Sequence, residues 1–364
     1  MAIFFFFFIA LLITLTSANA DPLAPALFVL GDSLLDSGNN NLLPTVARAN
    51  FSPYGMNFDA ARSTGRFTNG RTVADFIAEF IGLPYAPPYM SIRRLMESEQ
   101  VKTGLNFASG SCGILPQTDV SHQGKCLNFP EQVDLFERTV KEDLPRYYKT
   151  STELSNYLAK SLFLISIGSN DYINNYLISF YDTSKRYSPQ SFATLLVNNL
   201  SQQLQTQRLY ELGARKMIVF EVGPIGCIPA ITRQTKHIGP CVEDINQMTL
   251  LFNKELAPLL LNLTSTLQHS SFILGSVNWL GYEAAITPSK YGLSDSSNPC
   301  CVTWMNGTSG CIPGLGALAC KRPDKQYFFD GYHLTETLYK QIATLCFNSS
   351  SVCIPKNIND LLLS

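Results

Sequence analysis

Residues 26–33 read ALFVLGDS: five apolar residues run without interruption into Gly31, Asp32 and Ser33. A short apolar run that stops at turn formers has the pattern of a strand buried on both faces, the kind that builds parallel sheets. Three further runs repeat it, at Leu162 to Ile167, Met217 to Val222 and Phe272 to Val277, and Gly104 to Ala108 is a fifth candidate. Between them apolar residues recur at helical spacing. Phe192 to Leu212 carries Leu195, Leu196, Leu200, Leu204 and Leu209 and ends at Gly213, and Ile245 to Leu267 follows the same rule. Gln132 to Tyr148 and Thr335 to Cys346 are expected as further helices. Strand and helix therefore alternate, which predicts an α/β protein with a three-layer, doubly wound parallel sheet and right-handed crossovers. In such a sheet the ligand crevice lies beyond the carboxyl ends of the strands.

The 364 residues carry a net charge of -1 and are 46% hydrophobic, which fits a folded chain and excludes a disordered one. No linker, repeat or charge block divides residues 21–364, so one domain is expected. No run of basic residues exceeds two, which argues against a nucleic-acid partner. Ala2 to Leu15 is almost wholly apolar, with five consecutive phenylalanines from Phe4 to Phe8, and Ala18-Asn19-Ala20 offers a small-x-small cleavage site. Residues 1–20 are thus expected to be a signal peptide, too short to span a bilayer, with the mature chain starting near Asp21 and secreted.

All ten cysteines follow that point, an even number suited to full pairing in an oxidising compartment. Cys112 with Cys126, Cys227 with Cys241 and Cys346 with Cys353 can each close a short loop; Cys300, Cys301, Cys311 and Cys320 are left to pair among themselves in an order the sequence leaves open. Export would also give meaning to five Asn-x-Ser/Thr sites, at Asn50, Asn199, Asn262, Asn306 and Asn348, of which Asn199, Asn262 and Asn306 are preferred over Asn50 as glycan carriers.

Serine hydrolysis requires a nucleophile, a base, a carboxylate that orients the base, and donors aimed at an oxyanion. There are four histidines. His237 and His269 have no acidic neighbour close in sequence; His122 follows Asp119 by three residues, and His333 follows Asp330 at the same spacing in Phe329-Asp330-Gly331-Tyr332-His333. On a turn, that spacing lets the carboxylate reach the imidazole. No GxSxG elbow and no HExxH occurs.

Four segments carry a resemblance. GDSLLDSGNNN (Gly31 to Asn41), LNFASGSCGI (Leu105 to Ile114), IGSND (Ile167 to Asp171) and FFDGYHLTE (Phe328 to Glu336) resemble, in order, the sequence blocks of the plant GDSL esterase/lipase family, a branch of the SGNH hydrolases. FEVGPIGCIP, CVEDINQMTLLFN and the Cys300-Cys301 region extend the likeness over essentially the whole mature chain. The resemblance implies a flavodoxin-like SGNH fold and a secreted esterase or lipase that works through an acyl-serine intermediate, without metal or nucleotide. It implies Ser33 as nucleophile, presented where the first strand turns into a helix, with His333 as base and Asp330 orienting it. Ser33, Gly110 and Asn170 would form the oxyanion hole. Small-molecule, lipid or polysaccharide esters are the expected substrates. Acyl transfer to an alcohol and a non-catalytic binding role in the cell wall are the competing readings. Two positions depart from the family pattern: Leu334 stands where proline usually follows the histidine, and Ser111-Cys112 follows Gly110 where Ala or Gly is frequent. Met90, Leu95, Tyr176 and Leu315 are candidates for a lipid groove, or else for core and turn packing.

Overall fold

The computed structural model describes residues 21–94, 99–118, 123–178, 181–205 and 208–363. The expected signal peptide and the groove candidate Leu95 lie outside them. Strands β1 (Leu27–Gly31), β2 (Leu162–Ser166), β3 (Lys216–Phe220) and β4 (Ser271–Gly275) pair in parallel in that order, and β5 (Cys353–Ile354) adds antiparallel to β4. The fifth strand expected at Gly104 to Ala108 is reduced to a parallel bridge on the other side of β1. Val29 N–H donates to Leu105 O, Phe107 N–H to Val29 O and Ser109 N–H to Gly31 O. Counting that segment, the winding reverses between β1 and β2, and the crevice of such a sheet opens at that switch.

Because side chains alternate along a strand, each strand feeds two cores. Phe28, Leu30, Phe163, Ile165, Met217, Val219 and Phe272 point to one face. There they meet α2 (Phe129–Arg138), α3 (Pro189–Leu204) and α4 (Glu243–Thr266) through Phe136, Leu196, Leu200, Phe252 and Leu256. Leu27, Val29, Leu162, Leu164, Ile218, Phe220 and Ile273 point the other way, to α1 (Val73–Phe80) and α5 (Glu336–Asn348), where Phe76, Ile77, Tyr339 and Ile342 cover them. Burial on both faces is why the strands lack a polar alternation. The result is the three-layer α/β fold that the alternation predicted.

Local chemistry sets the helix ends. Thr72 and Asp75 form a capping box at α1; Asn128 and Glu131 form one at α2, with proline in the first turn; Ser188 caps α3 ahead of Pro189. The helix expected from Gln132 to Tyr148 stops at Arg138 and passes through a wide turn (Thr139–Asp143), and Pro145 prevents it from resuming as one helix. The one expected to reach Leu212 ends at Leu204, although Leu209 still packs in the same core.

All ten cysteines are paired: Cys112–Cys126, Cys227–Cys241, Cys300–Cys320, Cys301–Cys311 and Cys346–Cys353. The three short loops close as expected, and the remaining four cysteines pair in a nested order. Cys346–Cys353 ties α5 to β5. No helix among the described residues is long and apolar enough to cross a membrane.

Candidate active site

At the end of β1 a side chain on Gly31 would sit 2.3 Å from the carbonyl oxygen of Ser166 on β2, so only glycine allows the strands to close up here. The chain then leaves the sheet at Asp32 and Ser33. It enters a tight turn, with Asp36 N–H on Asp32 O, and not the helix that was expected. Asp36 explains the difference: its carboxylate accepts the N–H groups of Gly38, Asn39 and Gly110, replacing helix bonds with side-chain bonds.

Ser33 Oγ lies 2.8 Å from His333 Nε2, although the two residues are 300 positions apart in sequence. His333 Nδ1 lies 2.8 Å and 2.9 Å from the two carboxylate oxygens of Asp330. Asp330 is 0% exposed and His333 8%. The carboxylate also accepts the backbone N–H groups of Tyr332 and His333, each at 2.8 Å, and the hydroxyl of Tyr54 at 2.6 Å. It is thereby locked within its own turn, and the Phe67 ring packs 5.0 Å from the imidazole. Leu334 does not loosen this turn. Its carbonyl accepts the Thr68 hydroxyl, Phe329 N–H bonds to His333 O, and Thr335 N–H bonds to Tyr327 O, so hydrogen bonds do the work expected of proline. His237 and His269 do not line the cavity at Ser33, and His122 lies outside the described residues.

After β2, Asn170 lines the same cavity, and its side-chain amide donates to Cys112 O and accepts from Asn174. The adjacent Asp171 accepts from Ile114 N–H, Leu115 N–H and the Thr118 hydroxyl, pinning the loop 111–118 to the end of β2. In that loop one sequence expectation needs correction. Gly110 does not present its N–H to the cavity: the N–H donates to Asp36 Oδ2 at 3.0 Å, and a Cβ there would lie 2.8 Å from the Phe67 ring, so packing is what requires glycine. The next residue, Ser111, lines the cavity beside Ser33, Asn170 and His333. It has φ of 76°, in the left-handed region, and its N–H donates no hydrogen bond among the described residues. Sequence reasoning flagged Ser111 only as a departure. The signal that could have singled it out is the glycine preference at that position, which marks a positive φ.

The cavity measures about 480 Å³ and runs from Ser33 beneath the carboxyl ends of the strands, past Phe220, Ile228, Val277, Leu280 and Ile342. Asp32 also faces it. Its Oδ1 accepts Leu34 N–H, its Oδ2 is buried with no partner among the described residues, and burial pushes its carboxyl up to about 7. Met90, Tyr176 and Leu315 take no part in the lining; Tyr176 is a core residue stacked on Phe192.

A half-buried hydroxyl bonded to an imidazole, which is in turn bonded to a buried carboxylate beside an amide donor, is an arrangement that can turn a serine into a nucleophile. A sequence profile for the GDSL-like Lipase/Acylhydrolase family matches residues 27–345. The chain belongs to this family. GDSL esterase/lipase 7 of Arabidopsis thaliana is 44% identical over 345 residues, covering 92% of this chain and 91% of that protein. A second Arabidopsis thaliana GDSL esterase/lipase is 39% identical over 352 residues, 95% and 89% of the two chains, and a third is 37% identical over 345 residues, 94% and 87%. As a GDSL esterase/lipase the protein is a carboxylic ester hydrolase, and its fold is the α/β fold of the SGNH hydrolases. Of its five Asn-x-Ser/Thr sites, Asn50, Asn262, Asn306 and Asn348 are exposed. Asn199 is half-buried with its amide donating to Leu195 O, so exposure does not favour Asn199 over Asn50.

Proposed function

We propose that this GDSL hydrolase cleaves esters with a large apolar moiety through an acyl intermediate on Ser33, and the observation that carries the reading is the continuous chain from Ser33 Oγ through His333 to Asp330. Ser33 Oγ attacks the ester carbonyl as His333 Nε2 takes its proton. Asp330, bonded to Nδ1, fixes the tautomer and stabilises the imidazolium. The oxyanion is held by the N–H groups of Ser33 and Ser111 and by the side-chain amide of Asn170. His333 returns the proton to the leaving alcohol, and water, activated by the same imidazole, releases the acid. The cavity volume of about 480 Å³ and its largely apolar lining favour an acyl or alkyl chain over a polar sugar ester.

Ser33→Ala tests this directly. Hydrolysis of a p-nitrophenyl ester panel from acetate to palmitate should be abolished with the melting temperature unchanged, since the hydroxyl serves only the covalent step. Turnover at the wild-type rate would reject the assignment.

We further propose that residues 21–364 form one domain, exported after removal of residues 1–20. Full pairing of the cysteines and the exposed glycosylation sites support export. The intact mass of the secreted chain should correspond to a start near Asp21 with no free thiol after denaturation; a retained N-terminus or several free thiols would contradict it.

A further inference from the structure

Tyr54 lies 276 residues before Asp330 in sequence, and no motif marks it. Its ring is fully enclosed, packed against Phe51, Phe67 and Phe329 at centroid distances of 5.3, 6.1 and 5.6 Å. Its hydroxyl sits between two partners: it donates to Asp330 Oδ2 at 2.6 Å and accepts the N–H of Cys311 at 3.0 Å. Cys311 is tied to Cys301, and Gly331 N–H holds Ser309 O, so the disulfide-closed segment is seated on the turn that carries Asp330. Room for the hydroxyl is reserved on that segment: a Cβ on Gly310 would lie 2.8 Å from it and 3.8 Å from Asp330 Oδ2.

We infer that Tyr54 is a positioning residue of the hydrolytic site, holding the Asp330 carboxylate for His333 through a hydrogen bond whose own geometry is set by the backbone of the Cys301–Cys311 loop. The inference rests on the Ser33–His333–Asp330 reading above. With two backbone N–H groups on Oδ1 and the tyrosine on Oδ2, rotation of the carboxylate would break three bonds at once. Burial, reinforced by the adjacent carboxylate, holds the phenol well above its ordinary range, so it remains a donor at every working pH. The donated bond also draws charge away from the imidazole side of the carboxylate. Besides Tyr54, the titratable groups around this pair are His333, Tyr332, Tyr339 on α5 and, across the imidazole, Asp32.

The test compares Tyr54→Phe with wild type and with Ser33→Ala on one soluble p-nitrophenyl ester. Phenylalanine keeps the ring packing and removes only the hydroxyl. The expected result is a fall in kcat of roughly 10- to 100-fold, the equivalent of one charge-assisted hydrogen bond, with KM within about twofold. The acid limb of kcat/KM should move to higher pH, because a carboxylate with one donor fewer stabilises the imidazolium more. A merely structural role would lower the melting temperature without moving that limb. Gly310→Ala provides a second variant: its methyl crowds the hydroxyl, so its cost to kcat should shrink in the Tyr54→Phe background. An unchanged kcat and acid limb in Tyr54→Phe, or strictly additive losses in the double variant, would overturn the inference while Ser33→Ala remains inactive. Activity retained in Ser33→Ala would overturn the underlying reading instead.

Discussion

At the scale of single residues, the proposed oxyanion donors separate into one, Asn170, that acts through its side chain and two, Ser33 and Ser111, that act through the backbone. Asn170→Ala should lower kcat by roughly 10²- to 10³-fold with little change in KM, as expected for a donor used mainly in the transition state. Ser111→Gly, by contrast, keeps the backbone N–H and removes a side chain from a left-handed position, so it should retain kcat within a few-fold and stabilise the fold by about 0.5–1 kcal/mol. Steady-state kinetics and thermal melting of the two variants check both, and a large loss of kcat in Ser111→Gly would mean that the hydroxyl itself matters. The contrast also marks what is legible in sequence. Asp330 and His333 can be read because their contact is local, three residues along one turn. The Ser33–His333 contact spans the whole chain and needed the family likeness. Whether Gly110 or Ser111 faces the cavity depends on one φ angle and on where Asp36 points, and no residue type states that.

At the scale of elements, the strands were legible because burial on both faces leaves only apolar residues between turn formers, and four of them appear within a residue or two of the expected runs. The weaker elements were not. Gly104 to Ala108 bonds to β1 at Val29 and Gly31 and, on its other side, only through Asn106, whose N–H donates to Pro87 O and whose carbonyl accepts Tyr89 N–H, so it pairs on both sides without becoming a full strand. β5 is two residues long, pairs with Leu274 and Gly275 of β4 and is tied to α5 by Cys346–Cys353, which is information about distance rather than periodicity. The helix that the resemblance implied after β1 is replaced by a turn because Asp32 and Asp36 place their carboxylates on local N–H groups, a competition that likeness of sequence blocks does not report. The same choice serves the site. A turn bonded to Gly110 couples the segment carrying Ser33 to the loop carrying Ser111, and Asp171 couples that loop to β2, so the three proposed oxyanion donors share one hydrogen-bonded frame.

For the molecule as a whole, that frame has a consequence for stability against pH. Asp32 is fully buried, and burial raises its carboxyl from 3.8 to about 7; Asp36 and Asp171, also buried, are raised to about 6. A carboxyl whose pKa is higher folded than unfolded binds its proton more tightly in the folded state, so folding is favoured at low pH and loses that advantage as pH climbs through the interval between the two values. For Asp32 the interval is 3.8 to about 7, and the loss on reaching neutral pH is on the order of a few kcal/mol. The exposed ion pairs, such as Arg138–Glu142 and Arg322–Asp324, run the opposite way but are worth little each. The melting temperature should therefore rise by several degrees as pH is lowered from about 8 to about 5, before the exposed carboxylates begin to protonate. Asp32→Asn provides the control. Its side-chain oxygen can still accept Leu34 N–H, and it carries no charge to bury. The variant should melt higher than wild type at pH 8, approach it at pH 5, and show a shallower dependence between them, with Asp36 and Asp171 supplying the remainder. Calorimetry at intervals across that range decides the matter: a wild-type melting temperature that is flat or increases toward pH 8, or an unaltered slope in Asp32→Asn, would mean that Asp32 is charged and compensated within the fold.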